Sequence, residues 1–134
     1  MSANMTGKRP LSPHLQIYKP LINMRMSIFH RISGAALYFG MFLLAWWLFS
    51  VASGADYFAF VQGVLSSIPG RLVLFVFTWA LMHHALGGIR HLIWDTGRGF
   101  ELRTVNLLSW LTIIGSVVST ILIWVFGYMT IGAF

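Results

Sequence analysis

Three long apolar runs separated by short polar breaks dominate the chain. They are ISGAALYFGMFLLAWWLFSV from Ile32 to Val51, a stretch from Leu72 to Leu92, and LLSWLTIIGSVVSTILIWVFGYM from Leu107 to Met129. Each is about 20 residues or slightly longer, and a helix of that length crosses a hydrocarbon core of about 30 Å. A segment in lipid must satisfy its own backbone groups, which makes all three helical. The pattern predicts an all-α integral membrane bundle of three transmembrane helices, with spans at about 30–52, 70–93 and 106–129. Trp46, Trp47, Trp94 and Trp124 fall near span ends, where amphipathic rings settle at the interface. Pro10, Pro13 and Pro20 discourage a continuous helix upstream. Residues 1–27 are therefore expected to form an irregular arm, and residues 28–134 the three-helix domain. The small residues SVASGA after the first run suit a signal-peptidase site, but that run is long and starts late for a cleaved leader.

Composition agrees with a lipid environment. Of the 134 residues, 57% are hydrophobic and 9% charged, too few charges to cover an apolar surface in water. Nine Lys and Arg against three acids give a net charge of +6, and their placement is more informative than their number. Lys8, Arg9, Lys19 and Arg25 precede the first span, with Arg31 at its mouth. Asp56 and then Arg71 lie between spans one and two, Arg98 and Arg103 between spans two and three, and no charge follows the third. The positive-inside rule then places the N-terminus and the second connection in the cytoplasm, or in a mitochondrial matrix as its equivalent. Without an Arg-rich, Ser-rich transit segment, a bacterial inner membrane is expected over a mitochondrial one. No basic stripe interleaves with aromatics, so the excess positive charge does not point to nucleic acid. With no cysteine, the chain itself can hold neither a disulfide nor a Cys-ligated iron–sulfur or zinc centre.

Against this background the stretch ALMHHALGGIRHLIWD, Ala80 to Asp95, stands out for three histidines and an arginine inside a span. His84, Gly88 and His91 follow at i, i+4 and i+7 and share one helix face, which Gly87 borders. His83 points about 100° away. The segment SIFHRISG sets Ser27, His30, Arg31 and Gly34 at the mouth of the first span, at the same membrane depth. Polar side chains from two helices meeting on one side of the membrane form the pattern of a built site. A deep neutral imidazole suits axial ligation of haem iron, and His30, Arg31 and His91 could meet anionic propionates. His84 and His91 lie about 10 Å apart along one helix and cannot be the two axial ligands of one iron. Ser27 and Arg31 could hydrogen-bond a quinone carbonyl, although Ser27 could equally cap the first helix. Arg90 is expected to snorkel to the interface and His83 to satisfy a neighbouring helix. Ser109, Ser116, Ser119 and Thr120 are expected to pack between helices.

RPLSPHLQIYKP, SIFHRISG and HHALGGIRHLIWD, in this order, resemble the cytochrome b subunits of succinate dehydrogenase, the larger-type membrane anchors of respiratory complex II. The resemblance covers the arm and the first two spans; the third carries no distinguishing motif. The RPLSPHLQIY opening looks like the form found in mitochondria and their bacterial relatives. The resemblance implies that His84 is the axial ligand of haem b and that His30, Arg31 and His91 lie near the propionates. It implies that Ser27 and Arg31 serve the quinone site. The adjacent His83 departs from the family pattern; His84 is preferred because it shares a face with Gly88 and His91. The implied partners are a second small membrane-anchor subunit supplying the other haem ligand, an iron–sulfur subunit against which the arm docks, and a flavoprotein subunit. The implied function is delivery of electrons from succinate to ubiquinone, with flavin and iron–sulfur clusters on the partners alone. A haem-free anchor, a proton pathway and the anchor of a fumarate reductase are the alternatives; the lack of an acid within any span argues against the proton pathway.

Overall fold

The computed structural model describes Leu15 and residues 17–132. The start of the arm, with Lys8, Arg9, Pro10 and Pro13, lies outside the described residues. Four helices follow in order: α1 (Ile22–Ala52), α2 (Ala55–Ser66), α3 (Ile68–Asp95) and α4 (Leu102–Thr130). No strand occurs among the described residues. Helices α1, α3 and α4 are each long and apolar enough to cross a membrane.

The first helix begins earlier than its apolar run. Pro20 stands just upstream, Leu21 is extended, and from Ile22 the sequence INMRMSIF contains neither glycine nor proline to stop a helix. Ser27 is therefore in the second turn, which removes the reading of it as a cap; Leu21 occupies that position without a side-chain bond.

Helix α2 was not foreseen from the sequence. At 12 residues it is about 18 Å long, too short to cross the hydrocarbon core, and its apolar composition masks it as loop. Gly54, with φ of 106°, turns the chain into it, a conformation that side chains with a Cβ rarely adopt. Asp56 in its first turn complements the positive helix end. The Trp46 indole donates to the Tyr57 hydroxyl at 3.0 Å and ties α2 to the end of α1. Ser67 then opens α3 by accepting from the Gly70 backbone N–H at 3.2 Å. Pro69 sits in that first turn, where a missing N–H costs nothing.

Helix α3 packs on both α1 and α4, which also touch each other, while α2 rests on α1 and α3. The interior is inverted relative to a water-soluble bundle. Among the described residues only Met26, Val61, Ala80 and Val105 are buried hydrophobics, whereas Ser33, Ser50, His83, Arg90, Ser109, Thr112, Ser116 and Thr120 are buried and polar. Large apolar side chains such as Phe39, Phe42, Phe49, Leu111 and Phe126 face outward. Lipid gives no reason to hide apolar surface, so small and hydroxylated residues line the contacts and let the backbones approach. The hydroxyls of Ser109, Thr112, Ser116 and Thr120 each donate to a carbonyl of their own helix, at 2.7–2.9 Å. The expected inter-helix role for span three holds for Ser109, which also accepts from Arg90 across the α3–α4 contact at 3.3 Å.

One close approach can be tested directly. The Phe77 ring lies where a Cβ on Gly40 would have to sit. Gly40→Ala should displace that ring and cost about 1–3 kcal/mol, the usual penalty of overpacking. The assembled protein should melt at a lower temperature, and Gly40→Ala with Phe77→Leu should recover most of the loss. An unchanged melting temperature in the single variant would contradict this contact.

Candidate functional site

Helices α1 and α3 bring three of the five histidines together at one end of the bundle. The His30 and His84 rings stack, with centroids 4.1 Å apart and planes 6° from parallel. His91 lies 5.1 Å from His30 at a tilt of 55° and meets the Trp94 ring edge-on at 5.3 Å. Glycines make this approach possible. A Cβ on Gly87 would fall 2.5 Å from His30 Nδ1, and one on Gly34 would fall 2.9 Å from His84 Cε1. The sequence pointed to Gly88 on this face, but the glycine that receives α1 is Gly87. A Cβ at Gly88 would meet nothing within 4 Å.

The orientation of His84 is fixed through one nitrogen. Its Nδ1 lies 3.2 Å from the His30 carbonyl oxygen and 3.4 Å from Ser33 Oγ. A carbonyl can only accept, so Nδ1 carries the proton and Nε2 carries the lone pair. Ser33 donates to the same His30 carbonyl at 2.9 Å. Both polar contacts of the ring thus run through Nδ1, which leaves Nε2 to act as an electron-pair donor. This backbone partner has no direct sign in the sequence; Ser33 and Gly34, one turn beyond His30, are the available signal. The stacked rings of His30 and His84 present faces to each other, so their lone pairs cannot converge on one ion. No group of three or more His, Asp or Glu among the described residues is arranged to chelate a metal. The chemistry available is ligation by a single imidazole with further cationic or hydrogen-bonding groups around it. His30 Nδ1 is buried without a partner.

Ser27 and Arg31 sit one turn apart on the same end of α1. The Arg31 guanidinium donates to Ser27 Oγ at 3.4 Å, and Arg31 is exposed. Because the Ser27 oxygen accepts this bond, its own proton is free to donate outward. The pair therefore presents a cation and a hydroxyl side by side at this end of α1.

Two neighbouring residues depart from expectation. Arg90 does not snorkel outward: it is 2% exposed, bonded to Ser109 and positioned 5.0 Å over the Trp94 ring, with its Nε unpartnered. Trp94, one turn on, supplies a cation–π surface inside the bundle, which offsets part of the desolvation. His83 does not satisfy a neighbouring helix. It is 2% exposed, and neither ring nitrogen has a partner; each such buried group costs about 1–3 kcal/mol.

This is a multi-pass helical membrane protein with an imidazole and arginine cluster at one end of the bundle. A profile described as succinate dehydrogenase/fumarate reductase transmembrane subunit matches residues 5–123. The succinate dehydrogenase cytochrome b556 subunit of Rickettsia bellii is 45% identical over 119 residues, covering 89% of this chain and 93% of its own length. The corresponding subunit of Paracoccus denitrificans is 41% identical over 116 residues, covering 87% and 89%. The mitochondrial cytochrome b560 subunit of Mus musculus is 37% identical over 123 residues, covering 89% and 69%. The chain belongs to the succinate dehydrogenase/fumarate reductase transmembrane-subunit family, and within it to the cytochrome b subunits of succinate dehydrogenase.

Proposed function

We propose that this chain anchors succinate dehydrogenase in the membrane, holds haem b through His84, and forms part of the site where ubiquinone is reduced. The observation that carries the reading is the Nδ1 contact of His84 with the His30 carbonyl at 3.2 Å. Iron-ligating histidines commonly donate their other ring N–H to a backbone carbonyl, which fixes the tautomer and ring plane. The residues around it fit the group. His30 and His91 lie together at this end of the bundle, and the exposed Arg31 follows His30 on α1, which supports a role for these three residues near anionic propionates. When bound, haem b supplies a one-electron redox centre beside the quinone site. His91 is about 10 Å along the same helix from His84, so a second ligand for the iron would have to come from another membrane subunit.

At the quinone site, Arg31 and Ser27 hydrogen-bond one carbonyl oxygen. Electrons from succinate would reach it by way of the two soluble partner subunits. Negative charge grows on that oxygen as two electrons are accepted, and the guanidinium stabilises it. Ser27 holds a proton at its Oγ directed at the same atom, and two protons complete the quinol. The basic residues of the arm and of the α3–α4 connection support a cytoplasmic location for this end, the side on which the soluble subunits would dock.

The assembled complex tests this reading. Its reduced-minus-oxidised spectrum should show a b-type band, and it should reduce ubiquinone with succinate. Ser27→Ala should lower kcat/KM for ubiquinone about tenfold, the value of one hydrogen bond made in the transition state, with the haem band intact. A complex without the band, or a Ser27→Ala complex with normal quinone kinetics, would refute the corresponding half of the proposal.

A further inference from the structure

The face of α3 that carries His83, rotated about 100° from His84, borders a cavity. It has a volume of about 580 Å³ and is walled by Arg25 and Phe29 of α1, Trp79 and His83 of α3, and Trp110 and Ser116 of α4. Neither Ser27 nor Arg31 lines it, so it is separate from the quinone site described above. Its volume falls within the range of small-molecule sites. Its walls are mostly apolar, and of its three polar side chains Ser116 is already bonded to the Ile113 carbonyl at 2.9 Å, which leaves His83 and Arg25. His83 sits between the Trp79 ring at 5.3 Å and the Phe29 ring at 6.2 Å. It is 2% exposed with both ring nitrogens unpartnered. A neutral imidazole offers one N–H donor and one acceptor, and a buried imidazole with neither engaged is a hydrogen-bonding group waiting for a ligand. Arg25 is exposed at the cytoplasmic end, one helical turn above Phe29, or about 6 Å along the bilayer normal. A cation at the interface therefore lies one turn above a hydrogen-bond donor inside the hydrocarbon edge.

That order, anion acceptor above and carbonyl acceptor below, matches a glycerophospholipid, whose phosphate lies outside its ester carbonyls. The cavity is bounded by Trp110 and Val117, which are 54% and 44% exposed on the lipid-facing surface, so an acyl chain can enter sideways from the bilayer. Basic pockets between transmembrane helices at the cytoplasmic side are a recognised form of phospholipid site. We propose that this cavity binds one membrane glycerophospholipid. Its phosphate rests on Arg25, an ester carbonyl accepts from the His83 ring N–H, and one acyl chain lies between α3 and α4 against Trp79 and Val117. The inference rests on the haem being ligated by His84, which leaves His83 free for this second role.

The test uses the whole complex with its partner subunits, washed in mild detergent, with retained phospholipid counted by native mass spectrometry. Arg25→Gln removes the cation, His83→Phe keeps the ring without its nitrogens, and Val117→Trp fills the cavity from α4. Occupancy of one tightly held phospholipid should fall about tenfold in each of the first two, the loss of one hydrogen bond to a charged or buried partner. It should vanish in Val117→Trp. The haem band, recorded on each sample, reports separately on the site of His84. Equal phospholipid retention in wild type and all three variants would overturn the proposal, as would displacement of ubiquinone in place of phospholipid. A haem band lost in His83→Phe but kept in His84→Ala would overturn both the ligand assignment and this role for His83.

Discussion

His84→Ala is expected to remove the b-type absorbance completely from the assembled complex, while His83→Ala leaves it in place. The two residues are adjacent in sequence but face different parts of the molecule. His84 faces α1, with Nδ1 on the His30 carbonyl and Nε2 without a recorded partner. His83, about 100° around the helix, lines the cavity between Phe29, Trp79 and α4. Ligation needs a lone pair held in a fixed direction, and only His84 has its second nitrogen engaged to provide this. Alanine removes the donor nitrogen and leaves His30 without its stacking partner, so no neighbouring imidazole is placed to substitute. Difference spectra of the two variant complexes, with haem quantified per flavin, check the prediction. Retained haem in His84→Ala would contradict it.

Arg31→Leu should lower ubiquinone reduction about a hundredfold or more, the usual effect of deleting a donor aimed at developing oxyanion charge. The loss should appear mainly in kcat, because the guanidinium interacts more strongly with the charged oxygen than with the neutral carbonyl. Arg31→Lys should recover only part of the activity, since an ammonium cannot hold Ser27 and a quinone oxygen with one planar fork. Among the described residues the arginine has no acidic partner to lose, only its 3.4 Å bond to Ser27, so the fold should survive the change. Succinate oxidation with a soluble electron acceptor should stay normal in both variants. A matching loss in that assay would mean that the anchor had detached rather than that quinone chemistry had failed.

The membrane character of the chain was legible from its runs of apolar residues, because lipid forces helix on any such run regardless of its neighbours. So was the meeting of the two polar clusters, since both lie at the same end of antiparallel helices. What the sequence could not show depended on contacts between helices. A strict i, i+4, i+7 pattern led to Gly88, whereas the crossing of α1 over α3 uses Gly87, rotated about 100° from it. Arg90 had every property of a snorkelling residue until Ser109 and Trp94 were seen to hold it inside. Helix α2 was hidden because a short apolar helix and an apolar loop have the same composition; Gly54 and the Ser67–Pro69 start of α3 were its only local marks. The stretch from Ala80 to Asp95, with histidines 83, 84 and 91 on one span, resolves into two faces: one toward the α1 cluster and one toward a cavity of its own.

The most direct test of the central claim is chemical rescue of a His84→Gly complex with free imidazole, followed by its reduced-minus-oxidised spectrum. The account predicts no b-type band without imidazole and its return as imidazole fills the vacated space above the His30 carbonyl. A band present before imidazole is added, or one that stays absent while the complex remains assembled and imidazole is in excess, would contradict His84 as the iron ligand.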